Sequence, residues 1–247
     1  MPPDEDGMVV ADPWRDWQGD ALIIGLGGIG SALHAELANR APGLRRITAG
    51  RQRGDFRLDL EEEGSLEAFG LQARQQLGSL RLVLVCTGWL HGDGLMPEKR
   101  LSQVSRQGLE RSLAVNGYGP LLIARELEPL LPRQDPCHFA SLSARVGSIG
   151  DNQLGGWYAY RAAKAAQNQL LKTLAIEWGR RLPQACVTLL HPGTTATALS
   201  GPFQAGVPPE RLFSPQRAAQ QLLDVLAQQE PRRSGRFLAW DGQPIPW

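Results

Sequence analysis

The sequence predicts an α/β fold, a doubly wound parallel sheet flanked by helices, and three observations carry that expectation. Ala21-Leu22-Ile23-Ile24 is a continuous apolar run, the pattern of a strand buried on both faces. It leads at once into Gly25-Leu26-Gly27-Gly28-Ile29-Gly30 and then into residues 31–38, whose apolar positions recur at helical spacing. Further short apolar runs at 80–86, 137–143 and 185–191 are separated by helical stretches. With 247 residues, 42% of them hydrophobic, the chain can bury a sizeable core as one domain. That domain is expected over residues 21–247, with 1–20 as an N-terminal extension.

Taken in order, Gly25-x-Gly27-x-x-Gly30 permits a tight turn, close backbone approach to a pyrophosphate and close helix packing. The helix N-terminus then faces the anion, so the turn reads as a dinucleotide cradle that includes Gly28 and Ile29. His34, further along that helix, reads as a packing or surface residue. Residues 44–49 form the second strand, at whose end an NAD-selective site would place an acid. Gly50-Arg51-Gln52-Arg53 stands there instead. A guanidinium suits a 2′-phosphate by charge and fork geometry, which makes Arg51 the expected contact and NADP the preferred cofactor, with NAD the alternative. Residues 55–60 read as a short strand, too close to the second for a helical crossover.

Residues 61–77 have helical character, and the strand at 80–86 ends in Thr87-Gly88. Ligands of open parallel sheets sit at the carboxyl ends of strands, which puts Thr87 and Gly88 beside the cofactor. Residues 109–131 read as one long helix, with Asn116, Gly117 and Gly119 inside it at a cost in propensity. The strand at 137–143 ends in small hydroxyl residues, one of which can donate to a substrate oxygen. A long helix over 158–181 and a strand over 185–191 follow, the strand stopped by Pro192-Gly193. Residues 194–214, rich in Gly, Pro and Thr, have the make-up of a substrate lid. Residues 215–229 close with a helix and 236–239 with a strand.

At the start of the long helix, Tyr160 and Lys164 stand four residues apart with good helix formers between them. Such residues share a face. An ammonium beside a phenol favours the phenolate, which makes Tyr160 a general acid/base for a carbonyl or alcohol. Tyr158 has no lysine at that spacing.

The order of these features resembles the short-chain dehydrogenase/reductase family from about Ala21 to the end: glycine turn, Asp59-Leu60, Thr87-Gly88, Asn116, a strand-end serine, Tyr160-x-x-x-Lys164, and Pro192-Gly193 with Thr197. Within it, Ser143-Ala144-Arg145-Val146-Gly147-Ser148-Ile149, Gly156-Trp157-Tyr158, His191-Pro192-Gly193-Thr194 and Trp240-Asp241-Gly242 are similar to the branch of C-factor-like proteins. The resemblance implies a single Rossmann-type domain with about seven parallel strands, a small-molecule carbonyl or alcohol substrate, and a homodimer or homotetramer built through the long helices. It also implies roles. Tyr160 would donate the proton, Lys164 would hold the nicotinamide ribose and lower the phenol pKa, and Asn116 would hold a relay water. Asp59 would approach the adenine, and the backbone from Pro192-Gly193 into Thr194, with Thr197, would hold the carboxamide.

The chain departs from the family pattern in three places. Its glycine turn is one residue shorter, Val85-Cys86-Thr87-Gly88 replaces an Asn-Asn-Ala-Gly stretch, and Ala144 stands where the catalytic serine usually falls. The serine role is therefore assigned to Ser143, with Ser141 and Ser148 as lesser candidates.

Composition narrows the remaining classes. A formal charge of +1 without a Lys/Arg block argues against nucleic-acid or membrane partners. No run approaches the roughly 20 apolar residues of a bilayer span, so a cytoplasmic protein is expected. Cys86, Cys137 and Cys186 read as reduced thiols, and no metal site is expected. Two functions stay open: an NADP(H)-dependent carbonyl/alcohol oxidoreductase, and a C-factor-like cofactor-binding signalling or sensor protein. A methyltransferase would leave Tyr160 and Lys164 without work. Trp157, Phe203 and Phe213 suggest an apolar or aromatic pocket.

Overall fold

The computed structural model describes residues 12–247; the part of the expected N-terminal extension at 1–11 lies outside the described residues. Its centre is a seven-stranded parallel sheet. The strands and helices follow in chain order: β1 (Gly19–Ile24), α1 (Gly28–Arg40), β2 (Leu44–Gly50), β3 (Phe56–Arg57), α2 (Ser65–Gln76), β4 (Leu80–Val85) and α3 (Arg106–Ser112). Then come α4 (Gly119–Leu127), β5 (Cys137–Leu142), α5 (Tyr158–Arg181), β6 (Ala185–His191), β7 (Thr194–Thr195), β8 (Leu212–Phe213), α6 (Pro215–Ala227) and β9 (Arg236–Ala239). The sheet order is β3-β2-β1-β4-β5-β6-β9.

Continuous apolar strands have no polar face to show, so both sides of the sheet are covered. Along β1, Ala21 and Ile23 pack with Leu33, Leu37 and Leu222 of α1 and α6, while Leu22 and Ile24 face Phe69, Ile123 and Leu171 of α2, α4 and α5. The strand order reverses between β1 and β4, and the crevice at such a switch point is where open α/β sheets take ligands. Gly25 follows β1 directly, and Thr87 stands two residues beyond the end of β4.

Four boundaries differ from expectation. The strand expected over 55–60 is only Phe56–Arg57, reached from β2 by a tight link in which Asp55 Oδ2 accepts from Thr48 N (2.8 Å) and Thr48 Oγ1 (2.7 Å). The single helix expected over 109–131 is α3 and α4 joined by a π-helical segment, Leu113–Tyr118, centred on Asn116. The expected lid is tethered, because β7 pairs with β8 in parallel and ties its two ends together. Finally, β1 begins at Gly19, and Trp14 is fully buried against the core. Arg40 anchors that segment by donating to Asp12 Oδ1 (2.5 Å) and Oδ2 (2.8 Å). Among the described residues no helix is long and apolar enough to cross a membrane.

Candidate active site

Two cavities meet at the carboxyl end of β1 and β4. The larger, about 500 Å³, runs from Gly25-Leu26-Gly27 past Arg51 and Arg53 to Asp59 and Leu60. The smaller, about 170 Å³, runs from Gly27–Gly30 to Ser143, Tyr160, Lys164, Pro192 and Thr197. Gly27, Cys86, Thr87, Gly88 and Ala198 line both, so the two are lobes of one groove.

The glycine turn is built to leave its backbone accessible. A Cβ on Gly30 would lie 2.0 Å from the Gly25 carbonyl oxygen, so the turn closes only with glycine there. Gly27 has nothing within 4 Å of where a Cβ would stand, and its edge faces the groove. Thr87 Oγ1, at the junction of the lobes, is buried without a partner. An open glycine backbone, a helix N-terminus and an orphaned hydroxyl along one groove fit a dinucleotide.

On the side of the larger lobe away from α5 stand two arginines. Arg51 lies 3.7 Å from Glu61, while the Arg53 guanidinium reaches back over the turn to the Leu26 carbonyl and Ser31 Oγ (3.3 Å). Both line the larger lobe, as do Asp59 and Leu60.

Helix α5 brings Tyr160 and Lys164 to the other end, where Lys164 Nζ lies 5.8 Å from the Tyr160 ring centre. Lys164 is 2% exposed, and Nζ donates to Leu142 O (2.8 Å) and Gln167 Oε1 (2.9 Å). Burial pushes its pKa down to about 7. Burial raises the Tyr160 phenol above its ordinary value. The expected lowering by Lys164 is therefore not the balance struck in the protein alone: desolvation of the phenolate outweighs a lysine that is itself losing charge.

The serines separate by partner. Ser143 lines the smaller lobe, and its Oγ donates to Asn168 Oδ1 at 2.6 Å. Asn168 Nδ2 is buried without an acceptor. Ser141 Oγ instead accepts from Gln167 Nε2 (2.7 Å), and Ser148 Oγ accepts from Asp151 N (3.1 Å). Asn116 is fully buried and spends its side chain on Trp89: Nδ2 donates to Trp89 O (2.7 Å) and to Ser112 Oγ (3.1 Å), and Oδ1 accepts from Trp89 N (2.9 Å).

Two expected contacts do not line the groove. Gly193, at φ +73°, packs against Phe213 and Trp240, and a Cβ there would meet the Phe213 ring at 2.6 Å; Thr194 pairs with Leu212 in β7. Sequence reasoning missed Gln167 and Asn168. Helical spacing from Lys164, three and four residues on, was the signal that could have found them.

A family model described as enoyl-(acyl carrier protein) reductase matches residues 32–243. The chain belongs to the short-chain dehydrogenase/reductase family. A 1-hydroxy-2-glutathionyl-2-methyl-3-butene dehydrogenase of Rhodococcus sp. (strain AD45) is 32% identical over 191 residues, 77% of this chain and 78% of that one. The C-signal protein of Myxococcus xanthus is 32% identical over 148 residues, 60% of this chain and 83% of that one, in keeping with the C-factor-like runs. In fold, the NADPH-bound carbonyl reductase from chicken fatty liver is similar with a TM-score of 0.75, at 20% identity over 93% of this chain and 99% of that one. This short-chain dehydrogenase/reductase thus has an oxidoreductase's Rossmann-type sheet, with its tyrosine, lysine and glycine turn on one groove.

Proposed function

We propose that this short-chain dehydrogenase/reductase transfers hydride between NADP(H) and a small carbonyl or alcohol, with Tyr160 as the general acid/base. The observation that carries the reading is the shared lobe, in which Tyr160, Lys164 and Ser143 line the same space as Gly27–Gly30 and Thr197. A bound NADPH would supply the hydride. Gly25, Gly27, Gly28, Ile29 and Gly30 would take its phosphates, Arg51 and Arg53 a 2′-phosphate, Asp59 and Leu60 the adenine. Thr87 and Gly88 would border it where the lobes join, and Pro192 and Thr197 would serve the nicotinamide end, while Gly193 and Thr194, which stand off the groove, take no part.

The raised phenol keeps its proton at neutral pH, the state a carbonyl reduction requires. Lys164, held by Leu142 O and Gln167, stands ready to donate to a ribose. For Ser143 to donate to the substrate oxygen, the Asn168 amide turns over, so that Nδ2 donates to Ser143 Oγ and frees its proton. Tyr118 and Ile176, exposed on the segments expected to meet in a homodimer or homotetramer, support that assembly; light scattering in solution tests it.

Tyr160→Phe should leave saturable NADPH binding intact while turnover of a panel of aromatic and aliphatic carbonyls falls about 10²–10⁴-fold. Full turnover in that variant would remove Tyr160 from the mechanism. A second reading, a cofactor-occupied signalling or sensor protein, is favoured by the Ser143 proton already spent on Asn168 and by the likeness to C-signal. Tight NADPH binding with no turnover across the panel is the outcome it requires.

A further inference from the structure

We propose that Glu98 is a positioning residue: it clamps the first turn of α5 from outside the helix and so sets Tyr160 for proton transfer. This rests on the reading of Tyr160 as the acid. Glu98 is 5% exposed, and among the described residues no cation pairs with it. A carboxylate buried without a cation needs another reason to be there. Its partners supply one. The Glu98 main-chain oxygen accepts from Trp157 N (2.5 Å), and its Oε2 accepts from Ala159 N (3.3 Å).

Those two amides bracket the start of α5. Trp157, the N-cap, is in the left-handed region at φ 52°, ψ 43°, and no side chain of its own segment caps the helix. A bulky residue does not hold that conformation unaided. The first amides of a helix also lack intrahelical acceptors, and an anion is favoured beside them. Glu98 meets both needs at once, its main chain holding the strained cap and its carboxylate the free amide of Ala159 in the first turn. The close approach depends on Gly156, at φ +65°, where a Cβ would stand 3.2 Å from Glu98 O.

Tyr160 is the residue after Ala159, so any shift of this turn moves the phenol directly. Glu98, Ala159 and Tyr160 line one small cavity of about 30 Å³ with Ser105 and Ser112. The Glu98 segment is itself braced, since Gln103 Oε1 accepts from Lys99 N (2.8 Å) and Arg100 N (3.3 Å).

Glu98→Asp and Glu98→Gln test the proposal in the full chain. Asp keeps the charge but withdraws the acceptor by one methylene; Gln keeps the acceptor and loses the charge. Expected are a kcat about 10–100-fold lower in Glu98→Asp, an unchanged KM for NADPH, and faster hydrogen exchange at amides 157–160, with Glu98→Gln near wild type in all three. Added to Tyr160→Phe, Glu98→Asp should cost nothing further. Wild-type kcat and exchange in Glu98→Asp would overturn the proposal, as would an equal loss of kcat in the Tyr160→Phe background. Should Tyr160→Phe keep full turnover, or no carbonyl be turned over, the assignment of the acid fails. The exchange rates then decide separately whether Glu98 clamps the turn.

Discussion

Lys164 shows how a side chain can be held where its charge is expensive. The residue is 2% exposed, two oxygen acceptors hold its amine beside the groove it lines, and burial brings its pKa to about 7. The pairing with Tyr160 was legible from a four-residue spacing. The protonation balance was not, because desolvation depends on what covers the groups and not on which residues neighbour them in sequence. Ser143 is a similar case: the sequence supplies a hydroxyl at a strand end, but only the fold aims that hydroxyl at Asn168. The two arginines carry the cofactor prediction at this scale. Removing a charged partner of a phosphate costs about 1.5–3 kcal/mol, or about 10–100-fold in affinity. Arg51→Ala and Arg53→Ala should each weaken NADPH binding by about that factor and leave NADH binding nearly unchanged, as read by nucleotide fluorescence titration.

The element that departs most from a simple pattern is the π-helical segment between α3 and α4. Residues 113–118 take the wider winding, which single turns at functional sites often adopt, and Asn116 at its centre ties the helix to Trp89 in the loop after β4. The sequence shows the asparagine and the flanking glycines, which lower helix propensity, but not that the helix keeps going through them. Tertiary packing against α5 carries it across: a Cβ on Gly117 would stand 3.5 Å from the Ala163 carbonyl oxygen. Asn116→Ala leaves the Trp89 amide and carbonyl without their partner. Its unfolding free energy in urea should fall by about 2 kcal/mol, and NADPH binding should weaken with it, since Trp89 lines the larger lobe.

At the scale of the whole molecule, residues just before β1 close one end of the sheet. His138 of β5 meets Trp14 edge-on at 6.1 Å and stacks on Trp17 at 5.6 Å. Burial, with Arg81 adding to it, pushes the His138 pKa down to about 4, and burial with Arg145 does the same for His191. Both imidazoles are neutral in the folded chain at pH values where the unfolded chain is protonated. Their folded pKa is below the unfolded one, so the stabilisation is complete above about pH 6.5 and is lost as pH falls toward 4. Over the whole window each contributes at most about 3 kcal/mol to that decline. Urea unfolding measured across this window should show stability falling with acid, and His138→Leu should flatten the decline.

Local patterns in the sequence determined the strands, the glycine turn and the Tyr160–Lys164 pair, because burial on both faces, tight turning and helical spacing all act within a few residues. The order of the strands, and with it the crevice that joins the glycine turn to α5, follows from how crossovers wind. Tertiary structure alone decided the partners: Asn168 for Ser143, Leu142 for Lys164, Trp89 for Asn116, and Glu98 for the start of α5. A hydrogen bond between segments distant in the chain leaves no periodic trace in either of them. It exists only once packing has brought both ends to the same place.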